Sequence, residues 1–190
     1  MYCVKCGDLL KIKIMDPPQR IVCSECGNVF YENPLPGVAV VIRNVKGHVL
    51  LCKRKKGKFR AGFWCLPCGF IEKDETYLAT AYREVYEETG LTICVESIIN
   101  VFTNFFIDSR PTLVIALLAK YVAGEILPGD DVDMSEWIDA KTMLTDKMAF
   151  AADVSIISDY VNGVLEKRGC IKLLNQKSRF HMTSEDIFGF

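Results

Sequence analysis

Gly69-Phe-Ile-Glu-Lys-Asp-Glu75-Thr-Tyr-Leu-Ala-Thr-Ala-Tyr-Arg83-Glu84-Val85-Tyr86-Glu87-Glu88-Thr89-Gly90-Leu91 carries the strongest local pattern in the chain. Asp74 suits an N-cap, and Glu75 and Thr76 suit a first helical turn. Gly90 suits the position just past a helix end, where φ > 0 is needed. The spacing predicts one helix of about four turns between them. Leu78, Ala81, Tyr82 and Val85 recur at helical spacing and form its candidate buried face.

Glu84, Glu87 and Glu88 oppose that helix electrostatically. At 100° per residue they fall within roughly a 100° arc beside the apolar stripe. Glu84 and Glu88 are an i,i+4 like-charge pair, and Glu84 and Glu87 an i,i+3 pair. Each pair destabilises a helix by about 0.2–0.5 kcal/mol. All three lie toward the C-terminal end, where the helix dipole disfavours anions. A bound hard cation reverses the sign of the arrangement, because clustered carboxylate oxygens are what Mg²⁺ or Mn²⁺ prefer. A solvated acidic face with Arg83 as counter-ion fits the charge pattern as well.

The stretch resembles the Nudix box, G-x5-E-x7-R-E-U-x-E-E-x-G-U with U a bulky aliphatic. Gly69, Glu75, Arg83, Glu84, Val85, Glu87, Glu88, Gly90 and Leu91 fill every fixed position. The resemblance implies a Nudix α/β/α sandwich with a mixed sheet. It also implies metal-dependent cleavage of a diphosphate linkage. On that resemblance Glu84, Glu87 and Glu88 are ligands for Mg²⁺ or Mn²⁺, and Glu75 is an additional or water-mediated one. Arg83 orients the carboxylates, and Gly69 permits close backbone approach at the metal. The proton acceptor is one of the glutamates or a residue outside the box.

The chain has 190 residues, half of them apolar and a quarter charged, with a formal net charge of -1. That length is enough for one well-packed domain and a small appendage. The charge argues against a general nucleic-acid binder. No apolar run approaches the length of a membrane span. Met1 leads directly into a cysteine motif with no basic-then-apolar leader, so a cytoplasmic chain is expected.

Cys3-x2-Cys6-Gly7 and Cys23-x2-Cys26-Gly27 are separated by sixteen residues, the spacing of a four-cysteine zinc ribbon. Each CxxC turn offers two thiolates to one tetrahedral ion, and four leave no open position, so the Zn²⁺ is read as structural. The glycine after each second cysteine permits the left-handed backbone that closes the turn. Asp16-Pro17-Pro18 reads as a turn between the halves. Basic residues here are few and scattered. A clamp on the main domain or a homodimer contact is therefore favoured over a nucleic-acid finger. Five more cysteines, Cys52, Cys65, Cys68, Cys94 and Cys170, sit in mostly apolar contexts and read as reduced thiols.

The expected organisation is a zinc ribbon over 1–33, the Nudix domain over 34–165 and a tail over 166–190. Residues 31–37 read as a linker. Val38–Arg43 and His48–Arg54 read as strands about an Asn44–Gly47 turn. Thr92–Phe106 and Pro111–Tyr121 read as two long strands. Gly124–Ser135 reads as an acidic loop, either a solvated turn or a further carboxylate source. A short strand at Trp137 and Ile138 follows, then a short helix over Lys141–Leu144. Ala149–Val161 reads as a helix with Phe150, Val154, Ile157 and Val161 on one face and Gly163 as its stop. His48 and the tail's His181 read as surface residues.

Residues 53–60 pack six cations into eight positions. They read as a solvated loop or as phosphate steering, with Arg54 and Arg60 the best candidates because arginine forks match phosphate oxygens. In Trp64-Cys-Leu-Pro-Cys-Gly69, Cys68 stands where the family often has glycine. A cysteine fits there only if the backbone conformation suits a Cβ. Pro67 between Cys65 and Cys68 is expected to keep the two sulfurs apart, as inert thiols.

A zinc ribbon joined to a Nudix domain resembles NADH and ADP-ribose pyrophosphatases. The Ser-Gln-Pro-Trp-Pro-Phe-Pro signature of the former is not matched by Val101–Ile107, and the proline of the latter is absent before Pro111. The implied substrate is a small-molecule nucleotide, an ADP-containing diphosphate of the ADP-ribose, NADH or FAD type. Phe59, Phe105 or Phe106 could stack on its base. The other classes in view are a nucleotide sensor built on a Nudix pocket, an RNA-linked module and a nucleotide-pool sanitising hydrolase.

Overall fold

The β-branched run read at Val38–Arg43 is the centre of the sheet. In the computed structural model its strand starts earlier, as Leu35–Arg43. The description covers residues 1–13, 20–105, 110–129, 131–143, 145–164 and 171–172. The Asp16-Pro17-Pro18 turn, Phe106, Asp130, Leu144, Cys170, His181 and most of the 166–190 tail lie outside the described residues.

The chain divides into two compact units. One is Met1–Pro34 with Phe105–Pro111, and the other is Leu35–Asn104 with Thr112–Phe190. In the first, β1 (Lys11–Lys13), β2 (Arg20–Val22) and β3 (Val29–Phe30) form an antiparallel sheet. Both knuckles close as the glycines require. Gly7 N–H donates to Cys3 O and Gly27 N–H to Cys23 O, with φ of 80° and 70°. The Arg20 guanidinium lies 4.4 Å from the Tyr31 ring centroid.

The second unit holds β4 (Leu35–Arg43), β5 (Val49–Arg54), β6 (Trp64–Cys65), β7 (Cys68–Phe70) and α1 (Tyr77–Thr89). They are followed by β8 (Thr92–Asn104), β9 (Thr112–Ala123), β10 (Val132–Ile138), α2 (Ala151–Val161) and β11 (Ile171–Lys172). The main sheet runs β10-β5-β4-β9-β8-β11, with β6 against β5 and β7 against β4. β4 and β9 are parallel from Leu35↔Thr112 to Arg43↔Lys120, and the other pairings are antiparallel.

Alternation along β4 builds the three layers. Val38, Val40 and Ile42 face α1 through Ala81 and Val85. Ala39 and Val41 face α2 through Ile156 and Ile157. One mixed sheet with a helix on each face is the α/β/α sandwich expected.

Several boundaries move. The stretch read as a linker enters the sheet, because Gly37 pairs with both Phe70 and Val114. A Cβ on Gly37 would meet Gly69 O at 2.9 Å, so the side chain that glycine lacks is what lets β7 close on β4. The acidic segment read as a loop up to Ser135 is strand from Val132, antiparallel to β5. Two 3₁₀ turns, Ala140–Thr142 and Thr145–Lys147, replace the short helix over Lys141–Leu144. Ile171 and Lys172 of the tail pair with β8.

Candidate active site

Helix α1 begins two residues later than expected. Thr76, not Asp74, is the N-cap, because its hydroxyl reaches Ala79 N–H at 3.1 Å. Gly90 closes the other end at φ 72°, with its N–H on Tyr86 O. Leu127 N–H and Gly129 N–H then satisfy Thr89 O and Glu88 O, two of the carbonyls left open at a helix end. The following loop therefore fixes the turn that carries the acids.

The three glutamates occupy three different environments. Glu87 is exposed, at 45 % of its side chain. The Glu84 side chain is 13 % exposed. Glu88 is buried, at 2 %, inside the stripe that faces the sheet rather than beside it. Burial raises the Glu84 carboxyl against the opposing pull of Arg83, and it pushes Glu88 well above the usual carboxylate range.

Arg83 is the hub. Its Nε and Nη2 donate to the two Glu75 oxygens at 2.6 and 2.8 Å. Its Nη1 donates to Glu84 Oε1 at 2.8 Å and Glu87 Oε2 at 3.0 Å, and Nη2 also reaches Phe70 O at 3.3 Å. The fork on Glu75, helped by the Thr80 hydroxyl at 2.9 Å, holds that carboxyl down at about 2. Glu75 is thus an anchor for Arg83, with both oxygens engaged.

β7 forms the opposite wall. Cys68 N–H donates to Glu88 Oε2 at 3.2 Å. A Cβ built on Gly69 would collide with Glu84 Oε1. The Glu84 carboxylate occupies the space that any other residue's Cβ would fill. Cys68 itself sits in a strand, and Arg60 is the only non-glycine with positive φ among the described residues. Cysteine in place of glycine therefore carries no backbone strain here. Gly69→Ala is expected to lower kcat at least tenfold, since about 1 Å of misplacement can cost as much as a hundredfold. A parallel drop in Mn²⁺ affinity, read by calorimetry, checks that Glu84 is the residue displaced.

Asp131, from the acidic segment, joins this group. Its charge is among the influences raising both Glu84 and Glu88. Arg54 Nη2 and Lys58 Nζ lie 3.8 and 3.7 Å from Asp131 Oδ2. Arg54 also donates to Phe59 O at 2.7 Å and stands 5.7 Å from the Phe150 ring centroid. Its fork is engaged within the fold. Arg60 is exposed beside Phe59, which stacks on Phe150 at 6.4 Å.

Cys65 and Cys68 do not share the one extended strand expected. β6 and β7 are separate strands joined at the buried Leu66-Pro67 step, and the neighbouring Cys65 thiol is the largest influence pushing Cys68 up. Sequence reasoning also missed Asp153. It is 4 % exposed, accepts from Leu66 N–H at 3.0 Å, and is pushed up to about 7 by burial against the pull of that bond and Arg54. An aspartate in a first helical turn reads only as a favourable dipole charge.

In the first unit, Cys3 and Cys26 sulfurs lie 3.7 Å apart and Cys6 and Cys23 sulfurs 3.5 Å. All four lie within 4.8 Å of one another, the only such group of metal-ligating side chains among the described residues. The glutamates, held on Arg83 and β7, are not drawn together to that degree.

Residues 33–159 match the NUDIX domain family, and residues 1–32 match its Nudix N-terminal zinc-ribbon family. The chain is a Nudix hydrolase. This Nudix chain is 34 % identical over 132 residues to an ADP-ribose pyrophosphatase of Methanocaldococcus jannaschii, covering 69 % of the chain and 75 % of that protein. It is 29 % identical over 163 residues to the NAD-capped RNA hydrolase NudC of Vibrio vulnificus. That alignment covers 83 % of this chain and 56 % of the Vibrio protein, so this chain spans little more than half of that relative. A NUDIX hydrolase structure from Nitrosomonas europaea superposes with a TM-score of 0.73 at 24 % identity, covering 88 % of this chain and 91 % of that one. At that identity the likeness shows the fold. Among the described residues no helix is long and apolar enough to cross a membrane.

Proposed function

We propose that this Nudix hydrolase cleaves a diphosphate linkage in a nucleoside diphosphate derivative of the ADP-ribose, NADH or FAD type. Glu84, Glu87, Glu88 and Gly69 would hold Mg²⁺ or Mn²⁺. The observation that carries the reading is the fit of Glu84 into the gap left by the absent Gly69 Cβ. A stable helix needs no such fit, whereas a carboxylate aimed past a bare backbone suits a hard cation. The ion, when bound, supplies charge neutralisation at the diphosphate and a more acidic attacking water.

The chain's own residues do the rest. Arg83 aims Glu84 and Glu87 from one guanidinium, so the two like charges share a counter-ion. Cys68 N–H orients Glu88. Arg60, exposed on the basic loop, is the better placed of the two arginines to meet a phosphate, since Arg54 is engaged by Phe59 O and Asp131. The names of the relatives, an ADP-ribose pyrophosphatase and NAD-capped RNA hydrolases, support an ADP- or NAD-linked substrate.

The test is a hydrolysis screen over ADP-ribose, NADH, FAD, dinucleoside polyphosphates and oxidised nucleotides, with Mg²⁺ or Mn²⁺, in which the nucleoside monophosphate products are separated and quantified. Turnover of an ADP-linked member, abolished by chelation, is expected. Silence across the panel with metal demonstrably bound would replace the enzyme with a nucleotide sensor.

The cysteine cluster would hold a structural Zn²⁺, which closes a unit too small to fold by apolar burial alone. Structural zinc contributes about 10–16 kcal/mol in isolated fingers. Zinc-selective chelation is expected to melt residues 1–33 while the β4–β9 amides stay protected from hydrogen exchange. Unchanged protection in the ribbon after metal loss would refute a folding role.

A further inference from the structure

We propose that Asp153 is a positioning residue of the acid cluster. Its buried carboxylate, hydrogen-bonded to Leu66 N–H, fixes the turn from which Cys68 N–H and the bare Gly69 backbone meet Glu88 and Glu84. The proposal rests on the reading of these acids as the catalytic centre.

The contacts form an unbroken series. Asp153 Oδ2 accepts from Leu66 N–H at 3.0 Å. Pro67 O, next along the chain, accepts from Val40 N–H at 2.9 Å. Cys68 N–H then donates to Glu88 at 3.2 Å, and Gly69 abuts Glu84. Only Leu66 and Pro67 separate β6 from β7, so a shift at Leu66 is carried to Cys68.

A role limited to fastening α2 does not account for Asp153. The segment entering α2 is already zipped to β6 by the backbone, through Ala149 N–H on Trp64 O at 2.6 Å and the Trp64–Met148 bridge. Nor does Asp153 serve as a solvated charge on the first turn of its helix, since it is 4 % exposed and bonds to another element. The charged or titratable groups facing it are Arg54 from β5 and the Cys68 thiol from β7. An ionisable group kept in that position at a cost in desolvation marks a requirement beyond packing.

Leucine keeps the branched shape of Asp153, with bulkier methyls in place of the oxygens, and removes the acceptor; asparagine keeps both the size and an acceptor. In the full chain, Asp153→Leu is expected to lower kcat at least tenfold with KM within about twofold, and to weaken Mn²⁺ binding about tenfold, the range for residues that orient metal ligands. Asp153→Asn is expected to recover both to within about threefold. A folded Asp153→Leu protein with wild-type kcat and Mn²⁺ affinity overturns the proposal, and so does an Asp153→Asn protein as impaired as the leucine variant. Should the leucine variant not fold, wild-type nuclear magnetic resonance decides. The Leu66 and Cys68 amide signals are expected to follow the Asp153 carboxyl carbon as pH is raised, and in Asp153→Asn the Leu66 amide no longer shows that transition. A Cys68 amide indifferent to that titration overturns the proposal. Mn²⁺ affinity and amide signals need no substrate, so a silent substrate panel would sink the diphosphatase reading without deciding this one.

Discussion

Replacing Glu87 by glutamine is expected to lower kcat by two orders of magnitude or more and to leave the fold intact. Of the three glutamates, Glu87 is the one whose loss leaves the core alone. Its side chain is 45 % exposed, and its ion pair is with Arg83 Nη1. Glutamine keeps an oxygen for that hydrogen bond and adds no volume. An exposed i,i+4 pair contributes only about 0.3–0.5 kcal/mol, so the melting temperature should move little. What glutamine removes is a negative oxygen on the open side of the cluster. Metal-assisted and acid–base contributions typically reach about a hundredfold or more. The measurement is kcat under saturating Mn²⁺ beside a thermal melt of the same sample. Wild-type turnover in Glu87→Gln would remove Glu87 from the chemistry and leave it a counter-ion of Arg83.

The three acids differ in what they reveal to a sequence reader. Helical spacing places them on one arc, but not at one depth. Glu88 lies on the buried stripe against β7, where Cys68 N–H reaches it, and that close approach depends on Gly37 and Gly69 having no side chains. Two glycines far apart in sequence set the burial of a third residue, which periodicity cannot register. Gly90 is readable because a single residue with φ > 0 ends a helix whatever surrounds it. Thr76 displaces Asp74 by a purely local contact, its hydroxyl on Ala79 N–H.

β10 hides for a related reason. Asp131 and Asp133 flank its start and resemble loop residues, yet a break in register between Val132 and Met134 leaves Asp133 exposed and lets Val132 and Ser135, three residues apart, both be buried. The strand brings Asp131 toward Glu84 and Glu88, the outcome left open by composition. The segment holding Cys65 and Cys68 is not the one extended strand expected, because pairing to different partners, β5 and β4, breaks it in two.

Asp153→Asn is expected to stabilise the protein by about 4 kcal/mol above neutral pH and by almost nothing at pH 4. The Asp153 carboxyl is pushed from 3.8 to about 7 in the fold, and each tenfold change in proton affinity corresponds to about 1.4 kcal/mol. Below the unfolded value of 3.8, both states hold the proton and the group is neutral to stability. As pH rises toward 7, the unfolded chain releases the proton while the fold retains it. The unfolded state then binds fewer protons, so stability falls through that window. Above about 7 both states are ionised and the full penalty persists. Asparagine never ionises and still offers Leu66 N–H an oxygen, so it escapes the penalty and keeps the bond. For a domain of this size the difference corresponds to a rise of roughly 8–16 °C in melting temperature at pH 8. Melts of both proteins from pH 4 to 8 should diverge steadily between pH 4 and 7 and run parallel beyond. Parallel melts across the whole range would show that Asp153 is ionised in the fold at every pH tested, with Arg54 holding it there against burial.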